Sequence, residues 1–443
     1  MRRFYIAVAY LIAPIVCAVM LWRGLRDRSY WQNFSERFGY GESPFAGSSI
    51  WIHAVSVGEV QAAAALIRAL RQRYPSIPIV LTTVTPTGAA RARAQFSDGT
   101  HVRYVPYDLP GSVRRFFDRT RPRLAIVLET ELWPNLYHAC GQRQIPLVLA
   151  SARISPQSVG RYRRLAGLFR ETLSHGILIA AQSETDAERF LSIGANPLRT
   201  HVCGNIKFDF ALPENILVRG AELRQSIAGE RRVWVAGSTH AGEEEAVLEA
   251  MQMLAAGGNA ALLVIAPRHP NRFEEVAALL ARRGVRFVRR SSGQRCGTDT
   301  QVFLVDNLGE LMQFYAAADV AFVGGTLVPV GGHNLLEPAA LGVPVLLGPH
   351  YFNAQDIAEM FIANGAATVV RSARELGEAL ATLLHDRALR EHRGALARGI
   401  VDANRGALAR LLALVDPIIA SSMLEFAHDR ELFDAAARTD RPA

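Results

Sequence analysis

The sequence predicts an α/β protein of two doubly wound domains behind an N-terminal membrane-anchor helix. Three observations carry that expectation. The N-terminus holds an uncharged apolar run; short Val/Ile/Leu-rich segments alternate with amphipathic ones from Ile50 onward; and the alternation pauses near the middle of the chain. Near-continuous apolar runs mark strands buried on both faces of a parallel sheet. Strand and helix in alternation wind such a sheet. With 443 residues, 50% of them hydrophobic, the chain can bury two cores.

Taken in order, residues 1–30 read as the anchor and a basic interfacial segment. Phe4 to Trp22 is an apolar run of about 19 residues, preceded by Arg2 and Arg3 and followed by Arg23, Arg26 and Arg28. That length can span a bilayer. It is long for the core of a cleaved signal peptide, and no small-x-small cleavage site follows. The following stretch mixes arginines with Tyr30, Trp31, Phe34, Phe38 and Tyr40. Such a mixture suits a membrane surface or, alternatively, a solvated connector with a few core aromatics.

Residues 31–208 read as a Rossmann-like domain, with strands in IWIHAVSV, IPIVLTTVT, HVRYVPYD, RLAIVLET, IPLVLASAR and ILIAAQS. Residues 209–231 carry Pro213, many charges and no clear strand, and are expected to be a linker. Residues 232–415 repeat the pattern through RVWVAGST, AALLVIAPR, VRFVRR, QVFLVD, VAFVGG, VPVLLGP and ATVVRS, and 416–443 read as a helical tail.

Composition narrows the function. The net charge of +8 favours an anionic partner such as acidic lipid, a phosphorylated substrate or nucleic acid. Lys207 is the only lysine among 49 basic residues, so this surface would grip phosphate or carboxylate with guanidinium groups. The arginines are scattered over helix faces without a nucleic-acid-binding signature, so nucleic acid is set aside. Cys17, Cys140, Cys203 and Cys296 form no C-x-x-C pair, which argues for a cytosolic globular part without disulfides or zinc. No D-x-D, H-E-x-x-H or G-x-S-x-G motif is present, and no metal site is expected.

In open α/β sheets ligands bind beyond the carboxyl ends of the strands, so residues at those ends are the candidates. In the first half IWIHAVSV runs into Gly58 and Glu59 at a helix start. Glu59 suits a general base or an ordinary first-turn carboxylate facing the helix dipole. RLAIVLET ends in Glu129 and Glu131, with Trp133 and Asn135 following. These could hydrogen-bond sugar hydroxyls, with Trp133 as a stacking wall, or simply cap a turn with Pro134 opening the next helix. Arg153 closes another strand and suits an anion. In the second half, Ser238, Thr239 and His240 form a turn before a helix, a place where backbone N–H groups meet anions. Arg268 and His269 end the next strand. The densest signal is residues 324–353, where the pairs Gly324-Gly325 and Gly331-Gly332 precede His333-Asn334 and a short helix with Glu337 in its first turn. Backbone amides there suit a nucleotide phosphate, and Glu337 a ribose hydroxyl.

Read together, SVGE (56–59), ETELWPN (129–135), SARIS (151–155), GNIKFD (204–209), GSTHAGEE (237–244), PRHP (267–270), LGEL (308–311) and GGHNLLEP (331–338) resemble the 3-deoxy-D-manno-octulosonic acid (Kdo) transferase family of lipopolysaccharide biosynthesis. The resemblance spans about residues 1–415. It implies the two-domain GT-B fold at the inner face of the cytoplasmic membrane, CMP-Kdo as donor, and a tetraacyl disaccharide lipid A precursor as acceptor. It also implies inverting transfer without metal or other cofactor, and Glu59 as general base. Donor contacts would fall on Pro267, Arg268, His269, Leu308, Gly309, Glu310, Asn334, Leu335, Leu336 and Glu337. Further donor or acceptor contacts are expected among Gly58, Glu129, Glu131, Arg153, Lys207, Ser238, Thr239, His240 and His333. The rival readings are another GT-B nucleotide-sugar transferase, a UDP-sugar epimerase, or a membrane-tethered glycolipid-binding protein without turnover.

Overall fold

A computed structural model describes residues 1–422 apart from 44, 46, 97–98, 130, 165, 174–175 and 259–260. The chain divides into two compact units. The first comprises Met1–Phe210 together with the segment from Arg405, and the second is Ala211–Asn404.

The first unit is built on β1 (Ser49–His53), β2 (Ile79–Thr83), β3 (Thr100–Tyr104), β4 (Pro122–Leu128), β5 (Leu147–Ala152), β6 (Leu178–Ala181) and β7 (Thr200–Val202). They form one parallel sheet in the order β3-β2-β1-β4-β5-β6-β7. Alternate side chains feed two cores. Ile50, Ile52, Ile79 and Leu81 lie on one face, and Trp51, Val80, Ala125 and Val127 on the other. Six of these strands match the apolar runs in the sequence. β7 has no such run because it is an edge strand of three residues, two of them exposed.

The second unit repeats the design with β8 (Val233–Thr239), β9 (Leu262–Pro267), β10 (Phe287–Arg289), β11 (Val302–Leu304), β12 (Val320–Val323), β13 (Val345–Leu347) and β14 (Ala367–Val369). All pair parallel, in the order β10-β11-β9-β8-β12-β13-β14. Helix starts are marked by side-chain caps: Ser372 accepts from Glu375 N and Asp386 from Leu389 N, each satisfying a donor the helix itself leaves open.

Two expected boundaries shift. The stretch read as a linker contains the helix Ile216–Ile227, whose Leu223 and Ile227 are buried in a core of the second unit. Its apolar residues do not fall on one face, since Leu217 and Val218 are exposed while Leu223 and Ile227 are buried, and this blurs the helical pattern in the sequence. The helix beginning at 407 belongs to the first unit. Its Ala407, Leu411, Leu412, Val415 and Ile419 complete the core under Ile50 and Ile52. Asp209 caps it, accepting from Gly406 N and Leu408 N at 2.6 Å each, and Asp416 pairs with Arg73. Of the expected helical tail, 416–422 continue this helix, and 423–443 lie outside the described residues.

Candidate active site

In a doubly wound sheet the crevice forms where the strand order reverses. In the first unit that point lies between β1 and β4, the strands that end just before Glu59 and Glu129. Ser56 is the N-cap of the helix Val57–Arg73 and accepts from Glu59 N. The Glu59 carboxylate turns back over this cap. Oε2 accepts from Val55 N at 2.8 Å, and Oε1 accepts from the Ser56 hydroxyl at 3.0 Å. The residue is only 9% exposed. Burial, followed by the charge of Glu129, pushes its pKa from 4.5 up to about 7, against the pull of Val55 N–H, Ser56 and Lys207. A carboxylate half-ionised at neutral pH can accept a proton and release it again. Gly58 is exposed in the same first turn.

Glu129 leaves β4 with φ of 56°, a left-handed conformation uncommon for a residue with a side chain. Its Oε1 pairs with Lys207 Nζ at 2.6 Å. Lys207 reaches it because the segment 204–209 is laced to neighbouring strand ends. Ile206 N donates to the Ser151 hydroxyl at 3.1 Å, and Asn205 donates to Gln182 at 3.2 Å while accepting from Lys207 N at 2.9 Å. Ser151 is itself buried and left-handed, with φ of 49°. Such backbone strain persists where surrounding contacts enforce it, often at functional sites. Glu131 is also pushed up to about 7, mainly by burial and further by Glu129. Trp133 lies beside it and favours its anion, although its indole nitrogen falls short of hydrogen-bond geometry. Trp133 packs against the core, which makes it a wall of the site more than a free stacking surface. Asn135 is buried and bonded to Asp108, so it is structural. Arg153 sits half-buried just past β5.

In the second unit the order reverses between β8 and β12. The organising residue is Glu243, fully buried at the start of the helix Glu243–Ala256. Its carboxylate accepts four backbone N–H groups: His240 at 3.0 Å, Gly325 at 2.7 Å, Thr326 at 3.0 Å and Leu327 at 2.9 Å. It thus joins the turn after β8 to the glycine loop after β12. Gly324 passes so close to β8 that a Cβ would meet Ser238 O at 2.5 Å, and Gly325 needs its φ of +70°. Ser238 is left-handed with φ of 58°, where β8 slips register against β9.

This frame presents His240 and His333 in parallel, their rings 4° apart, with the Nε2 atoms at 2.7 Å. Burial above all lowers both, His240 to about 4 and His333 to about 3. Both are neutral at pH 7, so one ring nitrogen donates and the other accepts. His269 meets His240 edge-on at 5.3 Å. Arg268 is half-buried, its N–H bonded to Thr239 O at 3.0 Å. Thr239 is buried and donates to Glu244, which in turn pairs with Arg272.

The remaining expected donor contacts fall on neighbouring strand ends. Leu308, Gly309 and Glu310 follow β11, Pro267 ends β9, and Asn334–Glu337 follow β12. Glu310 is held by Arg290 at 2.8 Å and by Asn307 at 2.9 Å. Leu335 and Leu336 point into the protein at 3% and 2% exposure, so only their backbone can meet a ligand. Asn334 stands two residues ahead of the five-residue helix Leu336–Ala340, accepting from Leu336 N and donating to Glu337. Among the described residues no group of three His, Cys, Asp or Glu is arranged to hold a metal ion. Sequence reading missed Glu243, Ser151, Asn205, Gln182 and Arg290. Glu243, Ser151 and Asn205 did carry a signal, since they lie in GSTHAGEE, SARIS and GNIKFD, but Gln182 and Arg290 lie in none of the quoted motifs.

Comparison with known proteins places this arrangement. Residues 32–210 match the family model of 3-deoxy-D-manno-octulosonic-acid transferase (kdotransferase), and residues 245–399 match glycosyl transferases group 1. The 3-deoxy-D-manno-octulosonic acid transferase of Haemophilus influenzae is 40% identical over 94% of this chain and 99% of its own. That of Bordetella pertussis is 38% identical over 90% and 95%. Among solved structures, UDP-GlcNAc 2-epimerase from Neisseria meningitidis superposes with a TM-score of 0.53 at 15% identity, over 82% of this chain and 100% of the epimerase. That likeness reports the GT-B fold alone. With identity sustained along nearly the whole sequence, the chain is a glycosyltransferase and belongs to the 3-deoxy-D-manno-octulosonic acid transferase family.

Proposed function

We propose that this chain transfers Kdo from CMP-Kdo to a sugar hydroxyl of a phosphorylated lipid A precursor, by an inverting displacement with Glu59 as general base. The observation that carries the mechanism is Glu59 itself. It is a carboxylate at a sheet switch point, buried enough to titrate near about 7 and fixed by Val55 and Ser56. The acceptor oxygen attacks the anomeric carbon of Kdo as the bond from that carbon to the CMP phosphate oxygen breaks. The bonding pair leaves with CMP, and the acceptor proton passes to Glu59. One base and one leaving group suffice for inversion.

In the second unit Arg268 and the Leu335 backbone N–H would take the CMP phosphate, with the neutral histidine pair donating to an adjacent oxygen. Leu308–Glu310 and Glu337 would meet the cytidine or ribose. Lys207, held on Glu129, would balance the donor's sugar carboxylate. No metal ion or other cofactor takes part in this scheme. The helix Arg2–Arg26 is long and apolar enough to cross a membrane, and with the surrounding arginines it supports attachment to an anionic inner membrane, the catalytic units on its cytoplasmic side. The test is release of CMP from CMP-Kdo in the presence of a tetraacyl disaccharide acceptor, with Glu59→Gln alongside. Wild type should release CMP and modify the lipid, while the variant binds CMP without transfer. Release from a UDP-sugar instead would sink the donor assignment.

A further inference from the structure

At 25 residues the helix Arg2–Arg26 is about 37 Å long at 1.5 Å per residue, against a bilayer core of about 30 Å. Its surroundings nevertheless point away from a span. The first turn is docked on the globular part of the first unit. Tyr5 donates its hydroxyl to Asp108 at 2.8 Å, and Arg2 Nε donates to Asn135 at 3.2 Å. Met1 lies over Gly167, where a Cβ would come within 2.7 Å of its sulfur. The receiving groups are firm: Asp108 and Asn135 are 6% and 2% exposed, and Asp108 also accepts from Asn135 N and Leu136 N.

The chain leaving the helix comes back to the same place. Trp31 folds over Gly24 and donates Nε1 to Leu21 O at 3.1 Å. Phe38 then meets Tyr107 edge-on at 5.3 Å, next to Asp108, and Arg37 donates to Val84 O at 2.9 Å. A helix whose first turn and whose outgoing chain both dock at 107–108 cannot have its ends on opposite sides of a bilayer. Coverage along the helix agrees. Ile6, Ala9, Ala13, Val16, Met20 and Gly24 are half-covered or buried at three- and four-residue intervals, the spacing of one helix face. Phe4, Leu11, Ile15, Trp22 and Leu25 lie on the opposite face and are 53–76% exposed.

Resting on the membrane-attached reading above, we propose that this helix lies in the plane of the membrane interface, docked along the first unit, with the Phe4–Leu25 stripe in an anionic lipid leaflet. Charge supports lipid as the occupant. No acidic residue occurs between 1 and 26, and Arg3 and Arg23 flank the stripe. Arg26 lies 4.4 Å over the Trp22 ring, the pairing expected where an indole and a guanidinium share headgroup depth. The docking also has a direction. Asp108 follows β3 and Asn135 follows β4, so the helix begins at the sheet edge that carries Glu59. The leaflet surface then runs beside the catalytic carboxylate, where a glycolipid headgroup sits.

The test uses the full chain with Cys17→Ala and Cys296→Ser, bound to the outside of vesicles of phosphatidylglycerol and phosphatidylethanolamine. A fluorophore is placed on Phe4→Cys, Leu11→Cys, Ile15→Cys or Leu25→Cys, and depth is read with lipids quenching at shallow or deep positions. All four labels should report the same shallow depth, about 5–10 Å below the headgroups. An impermeant reductant added outside should reach the labels at 4 and 25 alike. A spanning helix would separate labels 4 and 15 by about 16 Å along the normal and protect one end from the reductant, and this result overturns the proposal. A pair of chains joined through the stripe would leave the labels unquenched by lipid and overturns it equally. Failure of the unlabelled chain to float with vesicles overturns the membrane-attached reading itself, and is seen separately from the depth pattern.

Discussion

Burial sets the pH range in which the proposed base works, and the charge pair Glu129–Lys207 tunes it from either side. Lifting the Glu59 pKa from 4.5 to about 7 corresponds to ~3 kcal/mol against its anion. If Glu59 takes the acceptor proton, kcat/KM rises with pH and levels off above about 7, and at pH 6 only about one molecule in ten carries the working carboxylate. A carboxylate titrating at 4.5 would show no loss at pH 6. Glu129→Gln removes the nearby charge that raises Glu59, so the acid limb should move to lower pH. Lys207→Met removes a charge that favours the Glu59 anion and leaves Glu129 unbalanced, so the limb should move to higher pH. The sign for stability is opposite to that for activity. A carboxyl whose folded pKa is raised favours the fold most below pH 4.5 and loses that contribution as pH rises through about 7. The assay is initial CMP release with acceptor well below its KM from pH 5 to 9, with Glu131→Gln as control because Glu131 is also raised to about 7. If Glu131→Gln abolishes the limb, or the Glu129 and Lys207 variants shift it the same way, the assignment of Glu59 is refuted.

Further outcomes follow from other parts of the molecule. Glu59→Gln should lower kcat by ~10²–10⁴-fold with the affinity for CMP unchanged by calorimetry. Glu243→Ala would orphan the four backbone N–H groups it now accepts, so CMP binding should weaken at least tenfold and the second unit should melt earlier, at about 1–3 kcal/mol for each donor left unsatisfied. Leu411→Ala removes a fully buried side chain from the core under β1 and should cost about 2–5 kcal/mol in chemical denaturation without altering CMP affinity. Chelation with EDTA should leave the rate of CMP release unchanged; a tenfold loss restored by a divalent cation would refute the metal-free scheme.

Much of this molecule is legible in its sequence, for reasons of local physics. Central strands of a parallel sheet bury both faces, so IWIH, VWVAG and LLVIAP announce themselves by composition. The position of Glu59 follows from the next step, because a strand followed by Ser-x-x-Glu starts a capped helix at the sheet's carboxyl edge. What stays hidden is pairing at long range. Lys207 and Glu129 stand 78 residues apart and meet because Ser151 and Gln182 hold Ile206 and Asn205, next to Lys207, against the strand ends. Glu243 reads as one acid in a run of three, and its four backbone partners appear only when β8 and β12 lie side by side. The exposed edge strand β7 and the helix Ile216–Ile227, which leaves Leu217 and Val218 in solvent, lack the apolar periodicity that reveals the rest. Nor does an apolar N-terminal run disclose whether its first turn is docked, since Tyr5 and Arg2 find their partners only in the folded unit.

The return of the helix beginning at 407 to the first unit has a consequence for the order of synthesis. While the ribosome is still making the second unit, the first lacks Leu411, Leu412, Val415 and Ile419, and the core face beneath Ile50 and Ile52 is open to water. The second unit, contiguous from Ala211 to Asn404, meets no such delay. The half bearing Glu59 therefore closes last, although it is made first. A chain stopped at 404 should aggregate through that open face and stay soluble once a peptide spanning 405–422 is supplied. Maturation of the proposed catalytic carboxylate is thereby tied to the emergence of the final helix, so that an unfinished nascent chain holds no assembled site.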